Sequence, residues 1–101
     1  MGSRLELHEE LVTLLGSRNV YFSPPASVKM RYPAIVYSRE DFVNRDADDL
    51  IYNQYTAYRV IAIDEDPDSE VVAKLAKFRY SNFENHYTSD GLNHDVFRIY
   101  Y

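Results

Sequence analysis

Asp64, Asp66 and Asp68 alternate in the way that opens a calcium-binding loop. The rest of such a loop is missing. Pro67 stands where the loop must flex, Ser69 takes the sixth position instead of Gly, and Leu75 takes the twelfth instead of Glu. Helix capping explains the same acids. Asp66 can accept hydrogen bonds from free backbone N–H groups, Pro67 suits the first helical position, and Asp68 and Glu70 favour the positive end of the helix dipole. The spacing therefore predicts a helix capped by Asp66, with Val71, Val72, Leu75 and Phe78 as its apolar stripe.

His86 and His94 lie near Asp90 and Asp95, and two imidazoles with a carboxylate can hold a divalent ion. Their spacing matches no metal motif, so hydrogen-bonding or solvent-facing roles are the better reading. His8 lies on the first helix with no visible partner. Nucleophilic catalysis finds no support: there is no Cys, no Gly-x-Ser-x-Gly elbow and no Gly-rich phosphate loop. None of the 16 acidic residues belongs to a recognisable acid–base pair. The residues read as those of a protein that is not an enzyme and uses no cofactor and no metal.

The elements that would position these groups centre on residues 55–78, a strand running through the acidic turn into the second helix. Residues 55–64 are rich in β-branched and aromatic side chains, with too few polar positions for a half-wet strand. That places them in the middle of a sheet with both faces mostly covered. Before them, Ser3 and Glu6 have capping-box spacing. A helix then runs to Leu15 on Leu7, Leu11, Leu14 and Leu15, and Gly16 stops it. Residues 19–22 form a short strand broken by Ser23-Pro24-Pro25, and residues 34–38 form a second one after Pro33.

Residues 79–88 and 93–101 are the last two strands, joined through Asp90-Gly91, a strong hairpin signal. The simple register sets Tyr87 against His94 and His86 against Asp95. It also sets Phe97 beside Glu84, an awkward pair that a bulge or a longer loop would relieve. The order is α-β-β-β-α-β-β. It predicts an α+β fold, a mostly antiparallel sheet of about four to five strands with two helices packed on it.

The 101 residues make one domain, 1–101. Hydrophobic and charged fractions of 46% and 27% are those of a globular chain. No apolar run approaches the roughly 20 residues of a membrane span, and no signal peptide is visible. The absence of Cys favours a cytosolic origin. A net charge of −5 opposes direct nucleic-acid recognition, because phosphate neutralisation needs a basic surface. The 10 Tyr fit strand preference somewhat better than an interface role. Residues 39–54 are the least regular stretch. Their acids and apolar side chains suit an extended arm or an interface better than a structureless loop.

Several stretches resemble the small tail-terminator and tail-completion proteins of long-tailed bacteriophages, or of related prophage-derived particles. They are Pro24-Pro25 followed by Met30-x-Tyr32-Pro33-Ala34-Ile35-Val36-Tyr37, Ala47-Asp48 upstream of Tyr52, Tyr58-Arg59-Val60 leading to Asp64, Pro67-Asp68-Ser69, and the closing Leu92-Asn93-His94-Asp95-Val96. The likeness spans nearly the whole chain in element order. It implies an α+β virion protein that forms a ring, commonly a hexamer, at the head-proximal end of the tail tube. Its partners would be copies of itself, the tail tube protein and the head connector or head-completion protein. Its place would be the virion tail, after assembly in the bacterial host cytoplasm. Such a ring needs heterologous contacts whose rotation closes. Our own candidates for the subunit or tube contact are Phe42, Asp46, Asp48, Asp49, Ile51 and Tyr52. A cytosolic binding module, such as an immunity or antitoxin-like inhibitor, is the alternative that the acidity also fits.

Overall fold

The structure, a computed structural model, describes residues 4–25, 27–40 and 56–101. Its elements follow the expected order: α1 (Arg4–Leu15), β1 (Val20–Phe22), β2 (Ala34–Arg39), β3 (Ala57–Asp64), α2 (Glu70–Ala76), β4 (Ser81–Ser89) and β5 (Leu92–Tyr100). The five strands form one sheet in the order β1-β2-β3-β5-β4, an α+β fold with β3 in the middle. Three of the four pairings are antiparallel, and β1 runs parallel to β2. The connection between them, with Pro24, Pro25 and Pro33 among its described residues, brings the chain back for that parallel pairing.

Both helices lie on one face of the sheet. Leu7 and Leu11 of α1 and Val71 and Leu75 of α2 share a core with Ile35, Tyr37, Tyr58, Val60, Ala62, Phe97 and Ile99. Leu14, Leu15, Val72 and Phe78 pack against this core while only partly buried. The expectation that both faces of the central strand are mostly covered agrees with the burial of β3. Tyr58, Val60 and Ala62 are buried beneath the helices, and on the other face Ala57 and Ile63 are buried, Ile61 is half-buried and Arg59 is exposed.

The acidic turn differs from its reading. The cap of α2 is Ser69, whose Oγ accepts from the Val71 N–H at 3.2 Å. Asp66 instead accepts from the Asp68 N–H at 2.9 Å, and Asp64 from the Asp66 N–H at 3.1 Å. These two aspartates fold the turn locally, as Asx residues do, and the helix starts after it. At the end of α1, Gly16 has φ +84°, and its N–H bonds the Val12 carbonyl at 2.9 Å. Ser3, the other half of the expected capping box, lies outside the described residues.

The last hairpin carries the register expected of it. Asp90 and Gly91 hold φ of 54° and 77°, the two left-handed positions of a type I′ turn. Tyr87 faces His94 and His86 faces Asp95. A bulge between Phe83 and Asn85 puts Phe83 opposite Phe97 and takes Glu84 out of the apolar row.

Candidate functional site

The interface residues expected from the sequence, Phe42, Asp46, Asp48, Asp49, Ile51 and Tyr52, all lie outside the described residues. The described residues that bracket them are held together at one end of the sheet. The Glu40 N–H bonds the Ala57 carbonyl at 2.9 Å, and Thr56 exchanges backbone bonds with Tyr101 at 3.1 and 2.9 Å.

Beside Glu40 is a charge cluster that the sequence reading missed. Arg98 Nε lies 2.9 Å from Glu40 Oε1 and 3.3 Å from Glu84 Oε2. Burial alone would lower the Arg98 pKa, but hydrogen bonding to Tyr100 and the Glu40 and Glu84 carboxylates outweigh it and hold it above its ordinary value. Arg59 faces Arg98 across the β3–β5 pair. Two cations opposite one another repel, and the two glutamates offset that repulsion. The bulge is what brings Glu84 to this face.

The two histidines do not meet. His86–Asp95 and Tyr87–His94 are successive pairs of one ladder, so their side chains point to opposite faces of the sheet. On the helix face, His86 Nδ1 lies 2.8 Å from Oδ1 of the buried Asp95. On the other face, His94 stacks on Tyr87 with ring centroids 4.6 Å apart. Among the described residues no group of three or more His, Cys, Asp or Glu side chains is placed to hold a metal ion.

His8, without a visible partner in the sequence, has one in the fold. Its Nδ1 is 2.7 Å from the hydroxyl of Tyr37, and Arg4 Nη1 donates to the same oxygen at 3.4 Å. Tyr37 is only 1% exposed and touches the rings of Phe22 and Tyr58. Burial pushes its pKa up, against the opposing pull of Arg4. This is a satisfied polar group within a core, holding α1 to β2.

The most unusual surface is β4. It is an edge strand of nine residues, and every residue after Ser81 is exposed. Phe83 is 56% exposed although its ring packs edge-on against Phe97. A strand so placed can bind another strand through its free backbone groups.

Compared with protein-family models, with curated proteins and with solved structures, the chain matches none. No helix among the described residues is long and apolar enough to cross a membrane.

Proposed function

We propose that this chain is a structural protein of a phage tail, one that assembles as a ring at the head-proximal end of the tail tube and terminates or completes the tail. The observation that supports this reading is the fold itself. The resemblance implied an α+β fold, and the chain has one, with its elements in the expected order. Among the described residues, three of the stretches that carry the resemblance fall in or beside regular elements. Pro33 precedes β2, Tyr58-Arg59-Val60 belongs to the central strand, and Pro67-Asp68-Ser69 leads into α2.

In this role the protein contributes surfaces. Its copies meet through unlike patches that close a ring, and the ring lacks the surface that would recruit another layer of tube protein. The joined ring then admits the head through its connector-facing side. Electron microscopy of particles assembled without the protein tests this. Tails of uncontrolled length, or tails that fail to join heads, are the expected result. Normal tails joined to heads, or tight one-to-one binding of this chain to a basic toxin, would overturn the proposal.

A further inference from the structure

We propose that two copies of this chain pair edge to edge through β4, antiparallel about a two-fold axis between Glu84 and Asn85, and so join their sheets into one. The first support is the direction of the backbone groups. In a hairpin closed by a two-residue turn, Ser89 and Leu92 form a hydrogen-bonded pair, and inward and outward positions alternate from there. His86 and Thr88 therefore turn their N–H and C=O groups away from β5. Beyond the bulge the Tyr100 N–H bonds the Tyr80 carbonyl at 3.1 Å, which fixes the phase again and turns Ser81 and Phe83 outward. The outward residues Ser81, Phe83, His86 and Thr88 are thus spaced symmetrically about the bulge. An antiparallel second copy in that register sets Ser81 against Thr88 and Phe83 against His86, twice over.

The side chains agree with the same register. Phe83 and His86 both stand on the helix face, each facing a helix-face residue of β5. Pairing them covers the half-exposed Phe83 ring with an imidazole. Glu84 comes opposite Asn85, where a carboxylate can accept from an amide. A parallel pairing in register would put Glu84 beside Glu84, at an electrostatic cost. The strand has no Pro or Lys, two residues that commonly block such edges.

A two-fold contact stops at two copies, so it is separate from the contacts that would close a ring. The pairing and the proposed function can accordingly fail independently.

The test uses the natural absence of Cys. In this register Asn82 and Tyr87 of different copies form a non-hydrogen-bonded pair, with Cα atoms about 4.5 Å apart, within disulfide reach. Asn82→Cys and Tyr87→Cys are made as separate proteins. Under mild oxidation neither should cross-link alone, because like positions lie several residues apart across the axis. Their mixture should give a disulfide dimer of about twice 11.9 kDa. Independently, the unmodified chain should shift from monomer to dimer with concentration in sedimentation. Thr88→Pro, which removes an outward donor and leaves the β5 ladder whole, should abolish the shift. A wild-type monomer at every concentration, or a mixture that cross-links no better than either protein alone, would overturn the pairing.

Discussion

The two edges of the sheet are built in opposite ways. At one side β1 contributes three residues, with Val20 buried and Pro24-Pro25 following close behind. The Arg4 guanidinium sits 4.5 Å above the Phe22 ring, and that ring lies 5.0 Å from Tyr37. The edge is short, tied to α1 and ended by residues that cannot continue a ladder. At the other side β4 runs nine residues, almost all of them exposed. It is interrupted only by the Glu84 bulge. The comparison teaches that this chain blunts one edge and leaves the other open, with its backbone groups arranged symmetrically. An edge closed by the fold is a stability feature, and the open one is the surface to which the proposed second copy would add.

The largest effect expected of this contrast is on stability at the closed edge. Tyr37→Ala should cost about 3–5 kcal/mol in chemical denaturation, because it empties a core site and strands His8. A loss under about 1 kcal/mol would mean that β1 and α1 are not anchored there. Next comes the cap of α2, the helix on the open side. Ser69→Ala should cost about 1 kcal/mol, and Asp66→Ala clearly less, since only Ser69 accepts from the first turn of the helix. Reversed sizes would restore Asp66 as the cap.

A subtler effect involves Tyr101, which packs against the core. Tyr101 donates its hydroxyl to Glu10 and stacks on Phe78. Burial first, then the Glu10 hydrogen bond and charge, push its pKa from 10.0 up to about 12. The folded state thus holds this proton more tightly than the unfolded state. The contribution is complete below pH 10 and is lost as pH rises toward 12. Stability followed by denaturation across that window should fall with pH, and Tyr101→Phe should flatten the fall. Tyr37, also raised, adds to the same slope. The smallest effect should be Phe83→Ala at the open edge, within about 0.5 kcal/mol for the monomer. A cost comparable to that of Tyr37→Ala would make β4 part of the core.

Much of the fold was legible in the sequence because its signals are local. Asp90-Gly91 dictated the hairpin and its register, and the clash of Glu84 with Phe97 called for a bulge or a longer loop, of which the fold has the bulge. The leucines of α1 and the β-branched run of β3 likewise marked what packs where. The helix cap was misplaced because Asp66, Pro67 and Ser69 all carry capping chemistry within one turn, and only the backbone path decides among them. The His8–Tyr37 bond was invisible because 29 residues separate its partners. The openness of β4 had a signal that went unread. Ser81, Asn82, Asn85, His86, Thr88 and Ser89 make it polar on both faces, as suits a strand at the rim. The candidate interface at residues 42–52 lies outside the described residues, so the site read from sequence and the one read from the fold are different surfaces.

The contrast between the edges is tested most directly by amide hydrogen exchange measured as a function of protein concentration. In dilute solution the amides of Ser81, Phe83, His86 and Thr88 should exchange at rates of free backbone, while that of Tyr87, bonded to β5, stays protected. As concentration rises, the outward set should become protected together, with no change at β1. Outward amides of β4 that exchange freely at every concentration would contradict an edge kept open for a second copy.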